Sequence, residues 1–529
     1  TLETLATVIR DSSLCGLGQT SANPVQTTLK YFRKDYEQHI EGHRCSSGVC
    51  ESLFTALCEN SCPMHMNIPG YLQLISENRL EDAFELTIRD NPLPGTLGRI
   101  CHFHCQMQCR RETIDEPVSQ GEIHRYLSDT MYKMGKEDQI YRKLIAEKLP
   151  ATGKKVAVVG AGPAGLTAAF YLVRLGHDVT VYDDHEKGGG ICRYGIPAYR
   201  LPKDVLDKEL VMFEKLGVKF VYNTRIGKDI SFEKLKKDND IVYVAVGAHK
   251  DQELDLPGKE LSGVYPGYEF LEDFAQEGKM KPGKNVVVIG AGNVAIDAAR
   301  SVLRTGAKVT IVYRRGKDSM PANETEIRDA EEEGIEFKFF AAPKKIIGNT
   351  KGGVMGLEVT LQKAGGFDES GRRKPVPTDK TEIVECDTVI MAIGEKVDSS
   401  FAAELGIATN KNGTLITNQN SFKAAEGIFA GGDAVSGPAT AAEAMGMAKR
   451  AAEAIDAELM GPGRFRKLFR VFDYKNVVPF EPQGGKMNRS KHLPVKERVN
   501  NFQEVLSGYS GEQAKTEASR CLRCDVKVC

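Results

Sequence analysis

Charge of one sign is the first thing this 529-residue sequence lacks: 71 Lys and Arg face 72 Asp and Glu, a formal net charge of −1. That balance leaves no electrostatic footprint for nucleic acid or for an anionic membrane surface. Long apolar runs are missing too. With no stretch of eighteen apolar residues and no secretory leader, no membrane span is expected, and the chain reads as soluble, non-secreted and cytoplasmic. The opening at Thr1, in place of Met, fits a chain that begins partway through a longer protein. The third scarcity is local. Between Cys109 and Cys521 only Cys192 and Cys386 occur, with no C-x-x-C and no C-x4-C pair. Each reads as a small apolar filler, and a redox-active disulfide is excluded from the middle of the chain.

The remaining cysteines crowd the two ends. Of thirteen, eight lie between Cys15 and Cys109 and three in the last nine residues. A disulfide framework belongs to small secreted chains, whereas tight cysteine groups in a large chain mean metal. The groups are Cys58-x3-Cys62-Pro63, Cys101-x3-Cys105-x3-Cys109 and Cys521-x2-Cys524 followed by Cys529. Five thiols plus three are enough for about two four-iron clusters of four ligands each. Zinc is the competing reading, because Cys521-x2-Cys524 is also half of a zinc knuckle. Redox chemistry elsewhere in the chain favours iron.

Four stretches are expected: a short helical piece over 1–50, a helical cysteine-bearing region over 51–150, stacked α/β units over 151–465, and a loop-rich tail over 466–529. Within the α/β region one pattern occurs twice. In the first copy Gly160, Gly162, Pro163, Ala164 and Gly165 follow an apolar strand and open a helix. Such glycines let backbone approach a pyrophosphate, which rests on the helix N-terminus. Asp183 ends the next strand, where a carboxylate accepts from a ribose hydroxyl. The second copy has Gly290, Gly292, Asn293 and Ala295, and its second strand ends not in an acid but in Arg314 and Arg315. Two arginines there can clamp a 2′-phosphate, favouring NADP(H) over NAD(H); the alternative is an exposed basic turn. No side chain announces itself as a general acid or base, and hydride transfer between cofactors needs none. No catalytic residue is therefore assigned.

Glu426-Gly-Ile-Phe-Ala-Gly-Gly432-Asp433, with a helical run from Thr440, resembles the second FAD fingerprint of two-dinucleotide-domain flavoproteins. The strand-to-glycine segments ending at Gly247 and Gly394 resemble the crossovers of that superfamily. The resemblance implies an FAD domain in two parts, 151–280 and 396–465, flanking an NAD(P)H domain at 281–395. Gly160 to Asp183 would hold FAD and Gly290 to Arg315 the nicotinamide cofactor.

Residues 55–529 resemble the small subunit of glutamate synthase and its relatives. Those include the N-terminal half of dihydropyrimidine dehydrogenase and the NADPH-binding subunit of bifurcating ferredoxin:NADP transhydrogenases. The shared marks are Asn67-Ile-Pro69, Asn91-Pro92, Gly98-Arg99, Gly195-Ile-Pro197, Arg200-Leu201-Pro202 and Met320-Pro321. The resemblance brings Arg200 and Leu201 into the cofactor set and implies that hydride passes from NADPH to FAD and electrons onward to clusters, or the reverse. Members carry C-x2-C-x4-C-x3-C-P in one run; here only the second half is present, and Cys521 and Cys524 stand in for the missing pair. In relatives a non-cysteine ligand follows the C-x3-C-x3-C run, which makes His124 a candidate beside the bland reading of a structural histidine.

Residues 1–50 carry a separate resemblance, through Ser13-Leu-Cys15-Gly-Leu-Gly-Gln-Thr20, Asn23-Pro24, Tyr31-Phe-Arg33 and His39-Ile40. They resemble the end of the FMN-binding NADH dehydrogenase subunit of complex I and of bifurcating hydrogenases. That implies Cys15 as the last ligand of a four-iron cluster, and His39, Cys45 and Cys50 as a zinc site short of one ligand. The resulting expectation is an NAD(P)H oxidoreductase subunit with FAD and [4Fe-4S] clusters, inside an electron-bifurcating NADH/NADPH/ferredoxin complex. The alternatives are the NADPH-oxidising subunit of a glutamate synthase-type enzyme and a non-catalytic cluster scaffold.

Overall fold

The computed structural model describes residues 2–40, 56–368, 371–469 and 484–525. Cys45, Cys50 and Cys529 lie outside them, as does the side chain of His39. Residues 57–146 fold mainly as helices, including Ile68–Ser76, Leu80–Asp90, Pro94–Ile100 and Gln120–Met134. Local chemistry sets the starts. Asn67 Oδ1 accepts from the Gly70 N–H at 3.0 Å, and proline sits in the first turn at Pro69 and again at Pro94. Gly98 lets two helices touch, because a Cβ there would stand 2.6 Å from Arg125 N.

Two parallel units follow. Lys155–Val159 and Asn285–Ile289 are apolar after their first residue because both faces of each strand are covered. The first lies in a six-stranded sheet ordered 423–425, 428–430, 241–244, 155–159, 178–182 and 219–221, in which only the first pairing is antiparallel. The second lies in an all-parallel sheet ordered 264–266, 388–391, 285–289, 308–312 and 336–338. A three-stranded antiparallel sheet, Ala341–Gly348, Val354–Phe367 and Arg373–Glu385, extends from the second unit. The chain leaves the first unit and returns to it through a short antiparallel ribbon, Lys250–Asp251 with Glu395–Lys396. Among the described residues no helix is long and apolar enough to cross a membrane.

Helix Ala441–Met460 packs on helix Pro163–Arg174 and reaches the cysteine-bearing region. A Cβ on Gly446 would come within 2.2 Å of Pro63 O, so only glycine permits that approach. Lys449 Nζ, one turn later, donates to Met64 O at 2.9 Å and to Asp90 Oδ1 at 2.6 Å. The tail is fastened by helix Gly511–Ala518, which packs on the cysteine-bearing region, and by buried ions. Glu504 pairs with Arg99 and Arg125, and Arg498 with Glu332 and Glu333. Glu517, wholly buried, accepts from the N–H groups of Ser119 and Asn488 at 2.9 and 2.8 Å and pairs with Arg520 at 2.5 Å. Arg520 also donates to Pro117 O and Glu116 O, and Arg111 reaches back to Arg520 O. These bonds deliver Cys521 and Cys524 to the far end of the chain's first cysteine groups.

Candidate functional site

A cavity of about 1930 Å³ runs between the two parallel units, and both glycine turns open onto it. On the first side it is lined by Gly160, Gly162, Pro163, Ala164, Asp183, Gly247, Asp433 and Thr440. On the second it is lined by Gly290, Gly292, Asn293, Arg314, Arg315 and Gly394. The turns demand glycine for two different reasons. Gly160 and Gly290 have φ of +107° and +133°, whereas a Cβ on Gly292 would stand in open space and one on Gly162 would touch only Gly190 Cα, at 3.9 Å. Gly165 and Ala295 face inward and do not line the cavity. A Cβ on Gly165 would lie 1.8 Å from Gly160 O, so that glycine serves helix–strand packing. Gly432, at φ +66°, sits against Ala164 and turns the chain toward Asp433.

Asp433 shows what the first half is built to take. Its carboxyl is buried, Oδ1 has no hydrogen-bond partner, and burial pushes its pKa up to about 7. An orphaned acceptor facing a cavity calls for a hydroxyl donor, which the ribityl chain of a flavin supplies. Thr440 Oγ1 caps the next helix by accepting from Glu443 N–H at 3.2 Å, and this N-terminus faces the same space. Asp183 is engaged by the protein: Oδ2 accepts from the Ala161 N–H at 2.7 Å and Oδ1 from the His185 N–H at 3.0 Å. Bonds from Asp183, Asp184 and Glu272 hold the His185 ring protonated, with a pKa up to about 12.

Arg200 also borders the cavity, but its guanidinium pairs with Asp297 at 2.6 Å and Glu326 at 3.1 Å, tying the two units together. Leu201 is fully buried in the core and offers the cavity no surface.

The thiols sort into two sets. Cys58, Cys109, Cys521 and Cys524 surround one small cavity, so the C-terminal pair meets the first group in space. Cys62, Cys101 and Cys105 form the other set: Cys105 feels the charge of Cys62 and Cys101, and Cys101 that of Cys62. Burial drives the thiols of Cys58, Cys62, Cys101, Cys105, Cys521 and Cys524 up, those of Cys101 and Cys521 to about 12. A buried thiol keeps its proton until a metal replaces it, which is the behaviour of a ligand and not of a nucleophile. Four thiols around one cavity fit a four-iron cluster. Cys15, at the N-cap of helix Gly16–Ser21, is exposed and belongs to neither set.

Tyr71 stands between the sets. It is fully buried, feels Cys105, Cys58, Cys62 and Cys521, and its hydroxyl donates to Gln120 Oε1 at 2.6 Å. His124 Nε2 lies 2.9 Å from the same hydroxyl, and burial lowers its pKa to about 4. The imidazole is thus neutral and turned to Tyr71, while Gln120, one turn earlier, lines the thiol cavity together with Gln108, Arg110 and Arg111. Sequence reading passed over Tyr71 and Gln120; the only signal was their place beside Asn67-Ile-Pro69 and at the start of the helix after Cys109. His102 was missed as well. It adjoins Cys101, lines the large cavity, and has Nε2 3.3 Å from Asn293 Nδ2.

The pyridine nucleotide-disulphide oxidoreductase model matches residues 154–448, more than half of the chain. The chain belongs to that family. Two further models match this family member: dihydropyrimidine dehydrogenase domain II, 4Fe-4S cluster, over 22–136, and the NADH-ubiquinone oxidoreductase-F iron-sulfur binding region over 1–39. The beta subunit of NADPH-Fe(3+) oxidoreductase from Geobacter sulfurreducens is 37% identical, over 99% of this chain and 83% of its own. The beta subunit of NADP(+)-dependent formate dehydrogenase from Moorella thermoacetica is 34% identical at the same coverage. The glutamate synthase [NADPH] small chain of Escherichia coli is 34% identical over 82% of this chain and 95% of its own. Among solved structures, FprA of Mycobacterium tuberculosis in complex with NADPH is similar at TM-score 0.48, with 20% identity over 58% of this chain and 86% of that one. The family, its cluster regions and the flavoprotein architecture make the chain an FAD-dependent NAD(P)H oxidoreductase with [4Fe-4S] clusters.

Proposed function

We propose that the chain is the NADPH-oxidising subunit of a larger cytoplasmic redox complex and passes electrons between NADPH and a two-cluster relay. The observation that carries this reading is the position of Cys101, whose neighbours Ile100 and His102 line the same cavity that both glycine turns open onto. FAD, when bound, takes a hydride from NADPH and releases its electrons singly, which nicotinamide does not do. The turn at Gly160–Gly162, Asp433 and Thr440 would hold it, and the turn at Gly290–Gly292 would hold the nicotinamide dinucleotide. Cys62, Cys101 and Cys105 would form the cluster site nearer the cavity, and Cys58, Cys109, Cys521 and Cys524 the farther one. Tyr71 lies between them and braces Gln120. The domain limits of the sequence reading, 51–150, 151–280, 281–395, 396–465 and 466–529, would follow this division of labour.

Two of the relatives named above are beta subunits of NADP-linked redox enzymes, and this supports a multi-subunit assembly here. Cys15 would ligate a further cluster in that assembly, facing a ferredoxin or another iron–sulfur or flavin subunit, and His39, Cys45 and Cys50 would hold zinc. Electron bifurcation between NADH, NADPH and ferredoxin is the finer form of this proposal. Anaerobic mixing of the purified chain and its partners with NADPH and NADH separately tests the reading. Flavin bleaching with loss of cluster absorbance on NADPH is expected. Bleaching confined to the flavin would overturn the relay.

A further inference from the structure

Arg314 and Arg315 follow the strand Lys308–Val312 closely, but the structure does not give them equal standing. Arg315 is buried, its Nη1 donating to Asp368 Oδ2 at 2.8 Å and to Arg373 O at 3.2 Å. Arg314 is exposed on the cavity wall. Both partners of Arg315 come from the hairpin that joins Val354–Phe367 to Arg373–Glu385, and the same hairpin brings a third arginine, Arg372, to that wall. Asp368 holds it in place. Its Oδ1 accepts from the Arg372 N–H at 3.1 Å, and its own N–H donates to Arg372 O at 2.8 Å. Tyr313 registers the convergence: burial raises its hydroxyl, and Arg372, Arg315 and Arg314 all oppose that rise.

A phosphate monoester carries up to two negative charges and is held best by more than one guanidinium. With Arg315 committed to Asp368, Arg314 alone is one cation short. We infer that Arg372, carried in by the hairpin, is the second guanidinium of a 2′-phosphate site, and that Arg315 positions the hairpin through Asp368. This deepens the NADPH reading and rests on it. Preference for NADP(H) would then be set partly outside the strand–turn–helix unit that binds the rest of the dinucleotide, which is why the sequence around Arg314 does not disclose it.

Binding of adenosine 2′,5′-bisphosphate and of 5′-AMP to the full-length, cofactor-loaded chain, measured by calorimetry, tests the inference without turnover. Arg372→Gln is expected to weaken the bisphosphate about ten- to a hundredfold and to leave 5′-AMP within about twofold. Arg372→Lys should recover part of the loss, as a point charge replaces a fork. Arg314→Gln should weaken the bisphosphate comparably. If Arg314→Gln weakens it and Arg372→Gln does not, the inference fails and the NADPH site stands. If neither substitution separates the two ligands, the 2′-phosphate reading itself fails.

Discussion

Removing Glu517 should empty one thiol set and leave the other. This carboxylate is wholly buried, accepts from the Ser119 and Asn488 N–H groups and pairs with the buried Arg520. Glu517→Ala strands the buried Ser119 N–H, at about 1–3 kcal/mol, and the half-buried Asn488 N–H, and leaves Arg520 without one of its partners; breaking a buried pair by removing one member costs about 3–5 kcal/mol. These terms overlap. A net cost of about 3–5 kcal/mol weakens docking of the tail by roughly two to four decades. Cys521 follows Arg520 directly, so the set Cys58, Cys109, Cys521 and Cys524 loses half its ligands, while Cys62, Cys101 and Cys105 are fixed by Pro63, Met64 and the helices around them. Iron per chain and the low-temperature EPR spectrum of the reduced protein report both sets. The variant should lose about four irons and one cluster signal, with NADPH-driven flavin reduction retained. Glu517→Gln, which keeps an acceptor for the N–H groups, should retain more iron. Unchanged iron and both signals in Glu517→Ala would refute the claim that buried ions deliver the tail cysteines.

Gly446→Ala should lower the thermal midpoint, because its Cβ would meet Pro63 O at 2.2 Å; overpacking of this kind costs about 1–3 kcal/mol, and calorimetry of the holo-protein measures it. Asp433→Ala should raise the FAD dissociation constant about tenfold or more by removing a buried acceptor, read by fluorescence on reconstitution of the apo-protein. Glu209, buried and accepting from the Gly95 and Thr96 N–H groups, has its pKa raised to about 7 by burial. The folded state therefore holds that proton between pH 4.5 and 7 where the unfolded chain has lost it, and the group's contribution is greatest below this window and lost as pH rises through it. Glu209→Gln should flatten the fall in stability between pH 4.5 and 7, and an unchanged slope in urea titrations across that range would reject the assignment.

The architecture was legible because its strongest constraints are local. Glycines at positive φ, or with empty space beside them, write themselves into the sequence at Gly160, Gly162, Gly290 and Gly292, and the apolar strands before them mark a sheet covered on both faces. The family's cysteine run, present here without its first pair, likewise pointed to Cys521 and Cys524 as the pair supplied from the tail. What the sequence left hidden depends on side chains far apart. Cys109 follows Cys105 at the spacing that links Cys101 to Cys105, yet it turns to the other set, a choice made by the 3-10 turn at Arg110–Thr113 and by Arg111 reaching Arg520. His124 carried metal-ligand chemistry by residue type and lies against Tyr71; Gln120 and Tyr71 carried no such signal. Arg200 read as a cofactor contact because it sits in a family mark, and its guanidinium is shared between Asp297 and Glu326 on the opposite unit. In each case burial and a partner far away in the sequence, 53 residues for His124 and 97 for Arg200, decide the role, which spacing cannot reveal.

The relay from cavity to cluster sets is the centre of the account, and Cys101→Ser examined by anaerobic stopped-flow mixing with NADPH tests it most directly. Removing this ligand should abolish the cluster nearer the cavity. Flavin bleaching should then proceed at the wild-type rate, while the cluster held by Cys58, Cys109, Cys521 and Cys524, identified by its own EPR signal after freeze-quenching, stays oxidised on that timescale. Reduction of that farther cluster at the wild-type rate would contradict the order of transfer read from the structure.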